Sequence, residues 1–153
     1  MKILVDTTYL LPAVGVAVSG VSADVVLRVR ERGHQTYASS VSVLEVGAKG
    51  GKLVARGTLG RRRLLRGLRA IAADPELEIV PFEREEILAG AIDLRAVHRD
   101  FLDCLLLATA AEKCDAFLTE DRVLLQVARG EAFRKTVRPA RGFVARTAAQ
   151  MLR

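Results

Sequence analysis

The most unusual chemical group of this chain is the carboxylate of Asp103, which interrupts the apolar stretch 101–111. Burying a carboxylate costs several kcal/mol unless it is solvated, paired with a cation or bound to a metal ion. Three further acids each accompany a short apolar stretch elsewhere in the chain, namely Asp6, Glu45 and Asp121. Asp103 therefore requires a partner such as a metal ion, and the other three acids are candidates for binding the same partner.

Together the four acids would form an all-oxygen site for a divalent cation. Carboxylates that converge repel one another, and no basic residue stands beside most of these acids in the sequence. A bound cation removes that repulsion, and a donor set without His or Cys suits Mg²⁺ or Mn²⁺ rather than Zn²⁺. The chain has only two His and two Cys, and the Cys are not in CxxC spacing, so no zinc site is predicted.

The elements that must position these acids alternate between short apolar strands and helices. We predict strands at 2–5, 35–38, 77–80 and 116–119, with an edge strand at 133–138. The predicted helices cover 7–18, 22–32, 41–48, 61–73, 83–97, 100–113, 122–128 and 142–152. This alternation is typical of a parallel sheet covered by helices on both faces. The carboxyl ends of such strands lie along one edge, where ligands bind, so we expect the acids to meet there.

Helix capping offers a second explanation for each acid taken singly, because acids at helix starts accept hydrogen bonds from free backbone N–H groups. The pattern fits Asp6 and Asp121 as caps, Ser42-x-x-Glu45 as a capping box, and Asp100-x-x-Asp103 as a cap-like pair. Capping alone does not explain why four helix starts on one sheet edge all carry acids. The two explanations are compatible, since helix N-termini attract anionic groups.

Three stretches of the sequence carry a resemblance to a known family: ILVDTTYLL at 3–11, VSVLEVGAK at 41–49 and FLDCLLLATAAEKCDAFLTED at 101–121. They resemble PIN-domain ribonucleases, in particular the VapC-type toxins and their archaeal relatives. The third stretch is the most specific, because it matches the family's third acid, its Ala-Thr-Ala helix and its fourth acid. The resemblance covers residues 1–140, which we interpret as the nuclease domain, with 141–153 as a C-terminal helical tail of the same domain.

This resemblance implies an α/β fold, a three-layer α/β/α sandwich around a central parallel five-stranded sheet. It also implies Mg²⁺- or Mn²⁺-dependent hydrolysis of RNA, with catalytic and metal-binding roles for Asp6, Glu45, Asp103 and Asp121. Thr8 and Thr119 are expected to support the first and fourth acids, although both also fit ordinary threonines at a helix start and a strand end. Asp100 and Glu120 are further acids near the site; we interpret them as solvated cap or surface charges, with a direct role in the site as the alternative.

The charge of the chain favours an anionic partner, since its formal net charge is +6 and its pI is near 9.9. One face of the predicted helix 61–73 carries Arg62, Arg63, Arg66 and Arg69, which are the candidate RNA-binding residues. Arg28, Arg30 and Arg32 form a second candidate track. A solvated charged face is the alternative interpretation for each of these arginines. Binding through phosphates is expected to weaken steeply with salt.

The resemblance also implies protein partners, a homodimer and a cognate antitoxin whose C-terminal segment packs into a groove. The alternative function is a non-catalytic or regulatory RNA-binding module of the same fold. We expect a cytoplasmic protein, because Cys104 and Cys114 are about 15 Å apart on a straight helix, too far for a disulfide. No stretch reaches the ~20 apolar residues of a membrane span.

Two other phosphate chemistries fit the sequence poorly. Haloacid-dehalogenase-type phosphatases also place an Asp after the first strand, but they require a second Asp two residues later, where this chain has Thr8. The stretch GAKGGKL at 47–53 resembles a phosphate-binding P-loop only superficially. Val46 occupies the place of its first Gly, and Leu53 occupies the place of its Ser or Thr.

Overall fold

A computed structural model describes the whole chain, residues 1–153, and its centre is a sheet of five parallel strands. The strands are β1 (Lys2–Val5), β2 (Gln35–Ser39), β3 (Leu77–Val80), β4 (Ala116–Leu118) and β5 (Val144–Arg146). Their order across the sheet is β3-β2-β1-β4-β5, so the strand order reverses between β1 and β4. A short 3₁₀ helix covers Leu11–Val14. The α-helices are α1 (Thr7–Leu10), α2 (Val25–Glu31), α3 (Ser40–Ala55), α4 (Arg61–Ala73), α5 (Glu85–Leu94), α6 (Phe101–Lys113), α7 (Arg122–Arg129), α8 (Glu131–Val137) and α9 (Ala148–Met151).

The central strand β1 shows why the fold has three layers. Its side chains alternate between the two faces of the sheet, so Leu4 belongs to one apolar core while Ile3 and Val5 belong to the other. The first core is closed by α5, α6, α7 and α8, and the second by α1, the 3₁₀ helix, α2, α4 and α9. The predicted three-layer α/β/α sandwich with a parallel five-stranded sheet is therefore confirmed. No helix combines the length and the apolar character that a membrane crossing requires.

The first third of the chain differs from its predicted helix boundaries. The predicted helix 7–18 is shorter, because α1 passes into the 3₁₀ helix, which ends at Gly15 with φ +88°. The predicted helix 41–48 is longer, because α3 continues through Gly50 and Gly51 to Ala55. Glycine suits position 50 because α4 packs closely against α3 there, and a Cβ would collide with the side chain of Leu64.

The C-terminal part corrects two predictions. The expected edge strand at 133–138 is instead α8, in which Phe133 and Val137 lie one turn apart and pack on the core. The fifth strand is β5, which pairs with β4. The segment 141–153 is therefore not wholly helical, because it contributes this strand before the short helix α9. The β-branched and aromatic residues of 133–138 favoured a strand. The apolar residues Phe133 and Val137, however, have the i, i+4 spacing of a helix, and both pack on the core.

The packing of α4 on the 3₁₀ helix gives a stability prediction. A Cβ at Gly67 would lie 2.4 Å from the carbonyl oxygen of Ala13 and 2.6 Å from Val14 Cα, both backbone atoms. We expect Gly67→Ala to destabilise the protein by about 1–3 kcal/mol, because overpacking outweighs the helix propensity of Ala. Gly47→Ala in α3 is the matched control, since no atom lies within 4 Å of its Cβ, and it should stabilise by about 0.5–1 kcal/mol. Urea unfolding curves measure both, and equal midpoints would contradict the close approach.

Candidate active site

Asp6 lies at the point where the strand order reverses. It directly follows β1, and its backbone N–H donates to the carbonyl oxygen of Leu118 at the end of β4, 3.0 Å away. Its side chain is buried, with 6% exposure. Although Asp6 occupies the N-cap position of α1, its carboxylate makes no capping hydrogen bond. The capping explanation therefore fails for this residue, and its carboxylate oxygens remain available for other hydrogen bonds or for a metal ion.

Two threonine hydroxyls hold the Asp6 carboxylate. Thr119 Oγ1 donates to Asp6 Oδ2 at 2.7 Å, and Thr8 Oγ1 donates to the same oxygen at 3.4 Å. Burial raises the pKa of Asp6 from 3.8 to about 6; the Thr119 hydrogen bond opposes this shift, and the negative charge of Glu45 adds to it. No Lys, Arg or His forms an ion pair with Asp6. The positive charge of Lys49 also opposes this shift, but Lys49 forms no ion pair with Asp6, so no cation of the protein contacts the buried carboxylate directly.

Glu45 lies in the second turn of α3 and faces the same region. It accepts a short hydrogen bond from Thr7 Oγ1, the residue after Asp6. The N-cap of α3 is Ser39, whose Oγ accepts from the backbone N–H of Val41. The predicted capping box with Ser42 is therefore absent, because Ser42 is already inside the helix. The Ser42 hydroxyl is buried without a hydrogen-bond partner.

Asp103 lies in the first turn of α6, and its position is less apolar than the sequence indicated. Its side chain is 29% exposed, and Asp100 caps the helix by accepting from the backbone N–H groups of Leu102 and Asp103. His98 Nε2 lies 2.7 Å from Asp103 Oδ2. Burial raises the pKa of Asp103; the hydrogen bond to His98 opposes this, and the charges of Asp100 and Asp121 add to it.

His98 is the residue at this site that the sequence analysis missed. Its side chain is 14% exposed, and it lies in the connection between α5 and α6. The connection follows no periodic pattern, so nothing in the sequence indicated which way this side chain points. The one available signal was that the chain has only two histidines and that this one lies five residues before Asp103.

Asp121 caps α7, as the capping interpretation predicted. Its Oδ1 accepts from the backbone N–H groups of Val123 and Leu124 at 2.7 and 3.1 Å. The backbone N–H of Asp121 donates to Thr119 Oγ1 at 3.1 Å. Thr119 thereby links the first and fourth acids through one hydroxyl, which donates to Asp6 and accepts from Asp121. Asp121 is exposed and its Oδ2 makes no hydrogen bond, so capping leaves one oxygen available to a ligand.

The four acids lie along one sheet edge, but they do not converge on one point. No three His, Cys, Asp or Glu side chains lie close enough together to hold a metal ion. Each acid instead accepts a hydrogen bond from the protein, and electrostatic influence links Asp6 with Glu45 and Asp103 with Asp121. The chemistry of the donor set still fits a hard divalent cation, because it consists of carboxylate oxygens around the buried, unpaired charge of Asp6.

The arginines predicted to bind RNA lie on α4. Arg62, Arg63, Arg66 and Arg69 are all exposed. Arg63 donates to the carbonyl oxygen of Ala13 at 2.8 Å, so it holds the 3₁₀ helix. The helix α4 packs against this 3₁₀ helix and against α3. Of the other acids, Glu120 accepts from Tyr9 Oη and from the backbone N–H of Ala148, so it joins three elements.

A parallel α/β fold with a buried acid at its switch point defines a class of proteins that bind ligands at the carboxyl edge of the sheet. Within that class, residues 3–130 match the PIN domain family model, so the chain belongs to the PIN domain family. PIN domains are generally nucleases. The predicted family is thus confirmed.

Comparison with solved structures agrees with this fold. The chain is similar to one in the crystal structure of VapBC2 from Rickettsia felis bound to a DNA fragment from their promoter. The TM-score is 0.57 with 14% sequence identity, over 96% of this chain and 98% of that chain. At this identity the similarity establishes the fold alone. Comparison with curated protein sequences yields no match.

Proposed function

We propose that this protein is a Mg²⁺- or Mn²⁺-dependent endoribonuclease whose site is formed by Asp6, Glu45, Asp103 and Asp121. The observation that carries the proposal is Asp6, a buried carboxylate at the β1–β4 switch point that is held by Thr119 and forms no ion pair with Lys, Arg or His. Its position suits a divalent ion, and membership of the PIN domain family supports nuclease chemistry. The donor set favours Mg²⁺ or Mn²⁺ over softer metals.

Each residue has a defined task in this proposal. The four carboxylates hold the cation, and Thr119 and Thr8 fix the orientation of Asp6 by donating hydrogen bonds to it. The bound ion supplies charge neutralisation at the phosphate and a water of lowered pKa. Attack in line with the leaving oxygen gives a 5′-phosphate and a 3′-hydroxyl. In addition, residues around the site must bind the phosphate backbone of the RNA.

We further propose that the protein is the toxin of a VapBC-type pair, acting in the cytoplasm as a homodimer. The structural similarity to a chain of a VapBC2 assembly supports the pairing with an antitoxin. A cavity of about 270 Å³ between α1, α2 and α4, lined by Leu10, Val26 and Ile71 among others, is apolar enough to receive a segment of an antitoxin. Leu27 at its margin is 54% exposed. If a small reading frame lies next to its gene, co-expression with that product tests this partner, and a complex disrupted by Leu27→Asp is the expected result.

A second candidate function is RNA binding without cleavage. It is favoured by the absence of any three acids within reach of one metal ion and by the hydrogen bonds that already occupy each acid. In this case the carboxylate edge would be structural, and metal ions would change neither binding nor RNA integrity.

A nuclease assay distinguishes the two functions. Purified protein is incubated with a mixed single-stranded RNA in the presence of EDTA, Mg²⁺ or Mn²⁺. We expect cleavage only with a divalent ion, and we expect Asp103→Asn to lose it while keeping the wild-type melting temperature. If wild type and Asp103→Asn leave the RNA equally intact under all three conditions, the enzyme is excluded and the binding module is favoured.

The hydrogen bond between His98 and Asp103 leads to a prediction on metal affinity. A carboxylate ligand is oriented by its own hydrogen-bond partners, whose loss typically costs 10–100-fold in metal affinity. We therefore expect His98→Leu to weaken Mn²⁺ binding by about that factor, whereas His98→Gln, which keeps a donor near the Nε2 position, should stay close to wild type. Isothermal calorimetry without RNA measures both variants. Equal loss in the two would show that the imidazole itself, not the hydrogen bond, matters.

A further inference from the structure

Four arginines surround a surface cavity at the edge strand β5. The cavity measures about 370 Å³, and Arg129, Arg134, Arg146 and Arg153 contribute to its lining, which contains no Asp or Glu. All four side chains are exposed, and none forms an ion pair with a carboxylate. By contrast, Arg30 on α2 is paired with Asp74 at 2.7 Å. Unpaired arginines that share one cavity repel each other, and an anion bound there would remove this repulsion.

Two of these arginines are already fixed in direction by the backbone. Arg129 donates twice to the carbonyl oxygen of Ala145, at 3.1 and 2.8 Å, and thereby covers the free edge of the sheet. Arg134 donates to the carbonyl oxygen of Phe143 at 3.2 Å. Each guanidinium has five N–H donors, so donors remain after these bonds. Arg129 and Arg134 are therefore pre-oriented at the cavity. Arg146 and Arg153 complete the cluster and make no side-chain hydrogen bond.

The cavity adjoins the acidic edge of the sheet. The backbone N–H of Thr119 donates to the carbonyl oxygen of Arg146 at 3.1 Å, and Thr119 is the residue that holds Asp6. Neighbouring strands lie about 4.8 Å apart, so Arg146 is one strand away from the proposed site. A strand of nucleic acid that leaves the acidic edge in the direction of β5 would meet this cluster. The α4 arginines have no such hydrogen-bonded connection to Thr119, and Arg63 on that helix donates to Ala13 instead.

We propose that Arg129, Arg134, Arg146 and Arg153 bind the phosphodiester backbone of the RNA strand that reaches the acidic edge. The planar guanidinium groups match phosphate oxygens in pairs, and no exposed aromatic side chain lines the cavity for base stacking. Recognition here is therefore independent of base sequence. The identity of the ligand as RNA rests on the proposed function, whereas the binding of a phosphodiester backbone does not.

The test compares two double variants that remove the same charge. Arg146→Ala/Arg153→Ala removes the two arginines that make no side-chain hydrogen bond and leaves Arg129 and Arg134 in place. Arg66→Ala/Arg69→Ala removes the same charge from α4, the rival candidate surface for RNA. Binding of a fluorescein-labelled single-stranded RNA is followed by anisotropy in EDTA over a range of salt concentrations. We expect the first variant to raise Kd about tenfold and to reduce the slope of log K against log salt by about 1.4, for two lost phosphate contacts. If the β5 cluster carries these contacts, the α4 variant retains the wild-type slope.

Three outcomes separate this inference from the proposed function. Equal slopes in the two double variants, or a larger loss in the α4 variant, overturn the inference. Retention of slope by Arg146→Lys/Arg153→Lys supports it, because the charges are kept. If the wild type binds RNA through this cluster but cleaves none with Mg²⁺ or Mn²⁺, the inference holds and the proposed enzyme fails. Melting temperatures equal to wild type verify that each variant is folded.

Discussion

Asp6→Asn is expected to abolish RNA cleavage and at the same time to stabilise the metal-free protein at pH 8. The stabilisation arises because the folded protein holds this carboxylate with a pKa of about 6, above the 3.8 of an exposed Asp, owing first to its burial. A group with a raised pKa contributes stability below pH 4 and loses that contribution as the pH rises through about 6. At pH 8 the ionised Asp6 therefore costs up to about 3 kcal/mol, which Asn removes.

Chemical denaturation at two pH values in EDTA measures this effect. We expect Asp6→Asn to exceed wild type in unfolding free energy at pH 8, and to lose this advantage by about pH 3, below both pKa values, where wild-type Asp6 is protonated in both states. Asp121→Asn is the control, because Asp121 is exposed and Asn caps helices as well as Asp does, so stability should change little. If Asp6→Asn is less stable than wild type at pH 8, the carboxylate has a stabilising partner that the structure does not contain.

Thr119→Val is expected to produce the second large effect, a loss of both stability and cleavage. The substitution preserves shape but removes the hydroxyl that donates to Asp6 at 2.7 Å and accepts from the backbone N–H of Asp121. Hydrogen bonds to charged groups contribute about 1.5–3 kcal/mol, so we expect a loss near 2 kcal/mol at pH 8. Because this bond lowers the pKa of Asp6, its removal raises that pKa above about 6.

The pH dependence of cleavage separates this role from simple packing. In Thr119→Val the acidic limb of the rate profile should move to higher pH, since Asp6 must be ionised to hold a cation. Thr119→Ser should restore the wild-type limb. Thr136→Val is the matched control, because the Thr136 hydroxyl donates only to the Ala132 carbonyl within α8. An unchanged acidic limb in Thr119→Val would contradict a link between this hydroxyl and Asp6.

The sequence was sufficient for the parts of the fold that local pattern determines. The boundaries of α4 and β3 are as predicted, because both depend on local sequence. The apolar spacing in 61–73 indicates a helix that ends before Pro75, and Pro81 ends the strand that follows. The placement of acids after strands was also readable, since β1 and β4 are short apolar stretches that end at Asp6 and Thr119. These signals need no knowledge of what packs against them.

The remaining features depend on contacts between distant parts of the chain. The apolar setting of Asp103 was overestimated, because Phe101 and Leu102 are exposed at the open end of α6 while the residues after Asp103 are buried. The hydrogen bond from His98 depends on how the loop before α6 turns. The arginine cluster became visible only once β5 was located at 144–146, since its members come from α7, α8, β5 and the C-terminus.

The catalytic and metal-binding roles of the four acids stay a prediction, and one measurement tests them most directly. A crystal structure of the wild-type protein grown with Mn²⁺, with anomalous data collected for manganese, locates the ion without reference to activity. We expect a peak at the carboxyl edge of β1 and β4, about 2 Å from oxygens of Asp6 and at least two of Glu45, Asp103 and Asp121. A crystal grown at saturating Mn²⁺ that shows no manganese peak at this edge, with Asp103 still hydrogen-bonded to His98, would contradict the proposed site.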